Sequence, residues 1–313
     1  MLSTQHSPRS AVFRREGRLE VLPLLLGSLI LRPYVFFFLA VYLVVSSIHL
    51  GYLRTAILFF IAWGIAFLSE FSSTRNGFPY GYYEYLSGTR EVELWISNVP
   101  FFDSLSYTFM AYAAYSMALL AYAPILRRGA DIQLVETHRL RQSLPVAVLT
   151  VLFFVFLDIV VDPVALRGSR WFLGQIFWYP EGGIYFGVPL SNFGGWATVG
   201  AATILLFQGI DRLLVRRGWG RHAGVRYVPA KALWGPTLYY VLLLFNLTVA
   251  FLIDEPLLGC VGLLIFTPIT VIMLTLLFKP ANQATAEDLV AHLADFPGSP
   301  LTQGPWGVGV WKR

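Results

Sequence analysis

Long runs of apolar residues limit most strongly what this chain can fold into. A segment needs about 20 mostly apolar residues to cross the roughly 30 Å hydrocarbon core of a membrane. Seven such stretches follow one another, at 33–50, 54–71, 103–125, 144–161, 184–208, 232–253 and 256–278. Charged residues make up 13% of the 313 residues, whereas a soluble domain carries about 25%. The sequence therefore predicts an all-α, polytopic transmembrane helix bundle with about seven spans, and it excludes a soluble enzyme, a disordered chain and a disulfide scaffold.

Two polar segments flank the predicted bundle. Residues 1–20 form a basic N-terminal segment, residues 21–279 the transmembrane bundle, and residues 280–313 a polar C-terminal tail with a short helical stretch near 286–294. The first apolar run begins at residue 21 and is interrupted by Arg32 and Pro33. Because proline rarely continues a helix, residues 21–31 are predicted to be an interfacial or re-entrant segment that precedes the first crossing.

Basic residues are distributed unevenly between the loops. The loops at 126–143 and 209–231 contain ten Lys or Arg residues, whereas those at 72–102, 162–183 and 254–255 contain four. Loops rich in Lys and Arg stay in the cytoplasm, so the first set is predicted to be cytoplasmic. The N-terminal arginines would then lie outside after seven crossings, which leaves an eighth crossing through 21–31 open. We expect a multi-pass protein of the cell membrane.

Few residues are available to hold a cofactor. Cys260 is the only cysteine, the five histidines are scattered, and the three lysines lie at or beyond span ends. The sequence contains neither a P-loop nor a glycine-rich dinucleotide motif. We therefore expect no resident metal and no cofactor. The net charge of +5 indicates basic loops rather than binding of nucleic acid.

Acidic residues gather at one end of the predicted bundle. The loops at 72–102, 162–183 and 254–255 must share one membrane face, because two spans separate each from the next. Ten of the 18 acidic residues lie on that face or just inside it. Four of them stand at span ends, namely Glu70, Asp103, Asp158 and Asp162. Glu70 and Asp103, taken singly, could also be span-end charges that face water.

The spacing of Asp158 and Asp162 is more informative. An i, i+4 pair lies on one helix face, and Pro163 is expected to end that helix. Two carboxyl groups so close to hydrocarbon favour protonation of one of them, which would supply a neutral general acid. The same pair could instead bind Mg²⁺ with a diphosphate, or face water at the helix end. The spacing alone leaves these alternatives open.

Two segments rich in aromatic residues and glycine accompany the acids. The first contains Gly77-Phe78-Pro79-Tyr80-Gly81-Tyr82-Tyr83-Glu84-Tyr85. The second, from Trp171 onwards, ends in Tyr185-Phe186-Gly187-Val188-Pro189-Leu190-Ser191-Asn192-Phe193-Gly194-Gly195-Trp196, where Pro189 is expected to kink or open the helix. Aromatic faces can stabilise a developing cation. An interfacial aromatic belt, or small residues for helix packing, would also account for such segments.

These motifs together resemble one known family. The stretch from Gly77 to Tyr85, the pair from Leu157-Asp158 to Pro163, and above all the string from Tyr185 to Trp196 are similar to the integral-membrane carotenoid biosynthesis proteins, over roughly residues 55–275. This family includes carotenoid 1,2-hydratases and bisanhydrobacterioruberin hydratase. The resemblance implies addition of water to the terminal C=C bond of an acyclic carotenoid end group, which gives a tertiary alcohol without a redox cofactor.

Hydration of a trisubstituted alkene requires a proton donor, electron-rich groups beside the tertiary cation, and a held water molecule. On these chemical grounds we assign the acid pair to Asp158 and Asp162, with Glu70 or Asp103 as partner or water-orienting base. The predicted substrate-binding residues are Tyr80, Tyr82, Tyr83, Tyr85, Asn192 and Trp196, with Asn192 holding the water. The expected partners are an acyclic carotenoid substrate, membrane lipids and other carotenoid enzymes.

Two other functions fit parts of the sequence. A membrane polyprenyl transferase, similar to a lycopene elongase, would use Mg²⁺ and a prenyl diphosphate at Asp158 and Asp162. Such enzymes normally need a second aspartate-rich motif, which this chain lacks. A non-catalytic carotenoid or lipid carrier would explain the aromatic residues and glycines, but not ten acidic residues at one face.

Overall fold

The computed structural model describes residues 21–219, 227–299 and 301, and helices dominate them. The N-terminal segment 1–20, Arg221, Arg226 and the end of the tail lie outside the described residues. The helices are α1 (Val21–Leu31), α2 (Pro33–Leu50), α3 (Tyr52–Asn76), α4 (Phe101–Tyr122), α5 (His138–Arg141), α6 (Leu144–Ala165), α7 (Leu190–Arg216), α8 (Lys231–Leu252), α9 (Pro256–Phe278) and α10 (Ala286–Asp295). The short strands are β1 (Glu84–Tyr85), β2 (Trp95–Ile96), β3 (Val99–Pro100), β4 (Ile125–Arg128), β5 (Asp131–Leu134) and β6 (Phe177–Trp178).

The prediction of an all-α polytopic bundle is confirmed. Six of the described helices, namely α2, α3, α6, α7, α8 and α9, are long and apolar enough to cross a membrane. The predicted span at 103–125 corresponds to α4, which has 22 residues but is not among the six helices that are apolar enough to cross a membrane. Helices α2, α3, α6 and α8 pack around α4 and bury 17 of its residues. Because α4 faces protein rather than lipid, it can carry serine, threonine and tyrosine along its length.

The positions of two prolines relative to their helices differ from the sequence prediction. Pro163 was expected to end its helix, but α6 continues to Ala165. Pro163 lies only two positions before that end, so its missing N–H group affects only the last turns of the helix. Pro189 was expected inside a span, but it directly precedes the first residue of α7. Its fixed φ angle suits a helix start, and residues 185–188 form a tight turn before it.

The break between α1 and α2 falls at Arg32, as the sequence predicts. Helix α1 has 11 residues, which at 1.5 Å per residue gives about 16 Å, too short to cross a membrane alone. Arg32 is 3% exposed and its Nε lies 3.3 Å from the Glu93 carboxylate. Helix α1 therefore does not by itself provide the eighth crossing, and it is anchored to the loop that contains Glu93.

Three loops meet at the end of the bundle where Arg32 lies, and we call them the cap: 77–100, 166–189 and 253–255. Strand β1 of the first loop pairs with β6 of the second. Arg167 and Arg170 of the second loop contact the Glu255 carboxylate of the third at 2.7 and 2.6 Å. The hydrogen bond from Arg167 lowers the pKa of Glu255, so the ion pair is present at neutral pH. The shared face inferred from the number of spans is therefore confirmed.

The opposite end of the bundle holds the C-terminal helix. Glu136 accepts hydrogen bonds from His49 Nε2 at 2.7 Å and from Arg141 Nε at 2.5 Å. Burial raises the pKa of Glu136, but Arg141 and His49 more than offset this and hold the pKa below its ordinary value. The backbone carbonyl of Glu136 lies 2.6 Å from His292 Nδ1 of α10. The predicted tail helix near 286–294 is thus confirmed as α10, docked on the bundle.

The cap is predicted to lie on the non-cytoplasmic side. In a Cys260→Ser background, single cysteines at Ser87 and Ser169 of the cap should react with an impermeant thiol reagent added to intact cells. A cysteine at Arg217, on the opposite end, should stay protected until the membrane is opened. All three positions are exposed. The reverse labelling pattern would place the cap in the cytoplasm.

Candidate active site

A cavity of about 110 Å³ lies beneath the cap, among the ends of α2, α3, α4, α6, α7 and α8. Half of the residues that line it are aromatic. Four polar side chains identified from the sequence also line it, namely Glu70, Asp103, Asp162 and Asn192. A comparable apolar cavity of about 150 Å³ holds a benzene molecule. The cavity beneath the cap therefore has room for a small branched group together with little else.

One wall of the cavity carries two carboxyl groups bridged by an amide. Asp158 and Asp162 lie one turn apart on α6, and Asn192 lies in the first turn of α7. Asn192 Nδ2 donates hydrogen bonds to Asp158 at 2.8 Å and to Asp162 at 2.7 Å. Asp162 faces the cavity, whereas Asp158 is fully buried behind it. Two adjacent buried carboxylates repel each other strongly, so the pair favours a state with one shared proton.

Glu70 and Asp103 approach the cavity from α3 and α4. Glu70 is 1% exposed and accepts a hydrogen bond from the Ser104 hydroxyl through one carboxylate oxygen. Within the described part of the chain, its other oxygen has no hydrogen-bond partner. Asp103 and Ser104 belong to the first turn of α4, where backbone N–H groups favour negative charge. Because one carboxylate oxygen of Glu70 has no partner among the described residues, this oxygen can bind a water molecule.

A chain of tyrosines extends from Asp103 into the cap. Tyr85 donates a hydrogen bond to Asp103 Oδ2 at 2.6 Å, and Tyr83 donates one to the Tyr85 hydroxyl at 3.3 Å. Burial, and secondarily the Asp103 carboxyl, raises the pKa of Tyr85 well above its ordinary value. The Tyr85 hydroxyl therefore stays protonated and acts as a donor near neutral pH.

Aromatic rings form the remaining wall. Trp196 stacks on Tyr107 with ring centroids 4.6 Å apart and an interplanar angle of 15°. The ring centroid of Tyr80 lies 6.5 Å from that of Trp196 and 6.4 Å from that of Tyr83. The structure thus brings together Tyr80, Tyr83 and Trp196, which the sequence analysis had assigned to substrate binding. These rings line the same cavity as Asp162 and Glu70.

Tyr82 is the predicted binding residue that lies elsewhere. It is 45% exposed and donates a hydrogen bond to Glu84 on the outside of the cap at 2.8 Å. Side chains alternate along an extended segment, so Tyr83 and Tyr85 face inward while Tyr82 and Glu84 face outward. We therefore do not assign Tyr82 to the cavity.

Tyr107 and Tyr179 are two of the cavity residues that are not individual candidates from the sequence. Tyr107 follows Asp103 at i+4, so helical periodicity could have placed it on the same face of α4. Tyr179 also lines the cavity, but it lies in the loop that begins at Trp171. The pairing of β1 with β6 and the hydrogen bond from Arg32 to the Leu173 carbonyl hold that loop over the cavity.

Gly195 is required for the close approach of α7 to the cap. A Cβ atom there would lie 2.4 Å from Tyr80 Cδ1 and 2.8 Å from Tyr80 Cα, whereas one at Gly194 would meet nothing within 4 Å. Gly195→Ala is therefore expected to displace Tyr80, to lower turnover about tenfold, and to destabilise the fold by about 1–3 kcal/mol. Turnover and thermal unfolding measure these effects. Gly194→Ala is the matched control and should change turnover less than about twofold; equal behaviour of the two variants would contradict the close contact.

The fold and the cavity together define a polytopic membrane protein with a cavity lined by aromatic and acidic side chains. A family model described as "Carotenoid biosynthesis protein" matches residues 27–277, and the chain belongs to this family. The family shown by this match is the one that the sequence motifs resemble, and it gives the protein a role in carotenoid biosynthesis.

A bisanhydrobacterioruberin hydratase from Haloarcula japonica is similar to part of the chain. The two are 30% identical over 149 residues, which is 47% of this chain and 43% of the relative. The match therefore spans less than half the length of that relative. No solved structure matches the chain.

Proposed function

We propose that this protein is a carotenoid hydratase of the cell membrane. It adds water across the terminal C=C bond of an acyclic carotenoid end group, giving a tertiary alcohol and using no redox cofactor. The observation that carries the proposal is the cavity beneath the cap, whose lining includes many aromatic rings together with Glu70 and Asp162, the latter bridged by Asn192 to Asp158 behind it. Family membership and the similarity to a hydratase support the same reaction.

Asp162 is the proton donor in this proposal. The π electrons of the terminal C=C bond take the proton of Asp162 and form a C–H bond at the less substituted carbon, which leaves a tertiary cation on the other carbon. The proton is available because Asp158 and Asp162 favour sharing one. Asn192 holds both carboxyl groups through one amide nitrogen, so the donor keeps its position as the charge of the pair changes.

Glu70 orients the water in the second step. A water molecule bound at its free carboxylate oxygen donates its oxygen lone pair to the cation and forms the C–O bond. The proton lost from this water passes to Glu70 and is returned to the Asp158–Asp162 pair, so that one molecule of water is added in total. Ser104 fixes the other oxygen of Glu70, which leaves the free one directed at the cavity.

The aromatic wall stabilises the cation between these steps. A cation over an aromatic face gains about 0.5–2 kcal/mol, and more when water is excluded. Tyr80, Tyr107 and Trp196 offer such faces within one cluster. The water that Glu70 holds lies next to the cation, so that C–O bond formation competes well with loss of a proton.

Pigment analysis by mass spectrometry after expression in a lycopene-producing host tests this function. The expected product gains the mass of one water molecule for each end group that reacts. Gain of a five-carbon unit would instead indicate a prenyl transferase. Unchanged lycopene, with the protein present in the membrane, would indicate a carrier.

A further inference from the structure

A second apolar concavity lies outside the cavity beneath the cap. It is a groove of about 610 Å³ on the lipid-facing surface between α2 and α8. Its floor contains the buried side chains of Phe38, Val45 and Leu238, while Phe37 and Trp234 stand exposed at its edges. All but one of the residues that line it are apolar, the exception being Thr237. We call this feature the α2–α8 groove.

The groove and the cavity are adjacent and meet at Phe38, which lines both. The ring centroid of Phe38 lies 5.7 Å from that of Phe109 and 6.0 Å from that of Phe245, and both of these residues line the cavity. The Phe38 centroid lies 5.6 Å from that of Phe37, which lines the groove. The Phe38 side chain therefore stands between the two spaces, and a chain that passed it would run from the cavity into the groove without crossing the cap.

The cavity is small and the groove is large, and this difference suits a long molecule with a small reactive end. The cavity, at about 110 Å³, can enclose one branched end group but not a polyene about as long as the roughly 30 Å hydrocarbon core. From Phe245 at the cavity to Trp234 at the far end of the groove there are 11 residues of α8, or about 16 Å. The groove thus extends the cavity toward the opposite membrane surface.

We propose that the α2–α8 groove binds the apolar chain of the substrate, an extended polyene, while its end group occupies the cavity. Phe38 is then the side chain past which the polyene enters. This inference rests on the proposed function and adds to it a binding site and a selection for long substrates. The proposal follows from the adjacency of groove and cavity at Phe38, since a lipid acyl chain in the groove would gain nothing from a neighbouring cavity lined by Asp162.

A tryptophan placed in the groove tests this proposal. Ala40 is exposed and lines the groove, so Ala40→Trp should fill it. Leu43→Trp, on the same helix and also exposed but outside the groove, is the matched control. Each variant is assayed with a long acyclic polyene and with a short isoprenoid alkene that carries the same end group. The short alkene needs only the cavity.

Ala40→Trp is expected to lower kcat/KM for the long polyene at least tenfold and to change that for the short alkene less than twofold. Leu43→Trp should leave both unchanged. If Ala40→Trp leaves the long polyene unaffected, or lowers both substrates equally, the groove does not bind the polyene chain.

A binding assay that needs no turnover distinguishes failure of the groove proposal from failure of the proposed function. Protein purified in lipid nanodiscs is loaded with the polyene, and the pigment that each variant retains is measured by absorbance. Wild type and Leu43→Trp should retain the pigment, and Ala40→Trp should lose most of it. Equal retention by all three would show that the groove holds a lipid acyl chain only. Retention that depends on the groove, but without any hydrated product from wild type, would keep the groove and reject the hydratase.

Discussion

Asp162→Asn is expected to lower turnover at least ~10²-fold, because it removes the proton donor that faces the cavity. The amide has nearly the shape of the carboxyl group and can still contact Asn192. The effect should therefore appear in kcat, measured with purified protein and the polyene, while the amount of folded protein stays unchanged. Insertion should be unaffected, since an amide costs less than a carboxylate in a membrane.

Two further variants show whether proton donation depends on both Asp158 and Asp162 or on Asp162 alone. Asp158→Asn should also lower turnover at least ~10²-fold, because the two residues share the proton that Asp162 donates. Asp254→Asn is the matched control, since Asp254 is an exposed aspartate of the cap at a φ of 60° that asparagine tolerates. It should change turnover less than about twofold. Near-wild-type activity of both pair variants at equal expression would make the pair structural.

Glu70→Gln is expected to lower kcat about 10²-fold with little change in KM. Glutamine has the same shape and can accept the hydrogen bond from Ser104, but it cannot take the proton of the attacking water. Steady-state kinetics with the polyene measures this. Glu84→Gln is the control, because Glu84 is exposed on the outer side of the cap, and its turnover should match that of wild type.

The alternative for the base is Asp103, which also lines the cavity but already accepts the hydrogen bond of Tyr85. If Glu70→Gln keeps wild-type turnover while Asp103→Asn loses it, the water is oriented by Asp103. Loss in both variants with unchanged KM would instead show that the two acids act together through the first turn of α4.

Much of the fold was predictable because the membrane imposes simple local rules. The break at Arg32 and the long apolar helices follow from proline chemistry and from the length needed to cross the hydrocarbon. The shared face of the cap loops followed from counting spans. The central position of α4 was not predictable from its own sequence, since only packing against four neighbours explains how its polar residues avoid lipid.

The site was predictable only where local helix geometry determines which side chains lie together. The i, i+4 spacing placed Asp158 and Asp162 together, and helix geometry is local. The contact of Asn192 with both residues depends on how α7 packs against α6, and the outward position of Tyr82 depends on the pairing of β1 with β6. The α2–α8 groove joins residues about 200 positions apart in the chain, so no local pattern could reveal it.

Isotope labelling of the product tests the proposed reaction most directly. Purified protein and an acyclic polyene are incubated in water enriched in both ¹⁸O and deuterium. Each reacted end group should gain one ¹⁸O atom in its tertiary hydroxyl and one deuterium on the adjacent carbon, in the presence of EDTA and without NAD(P)H. Oxygen that originates from O₂, or product formation that EDTA abolishes, would contradict metal-independent hydration.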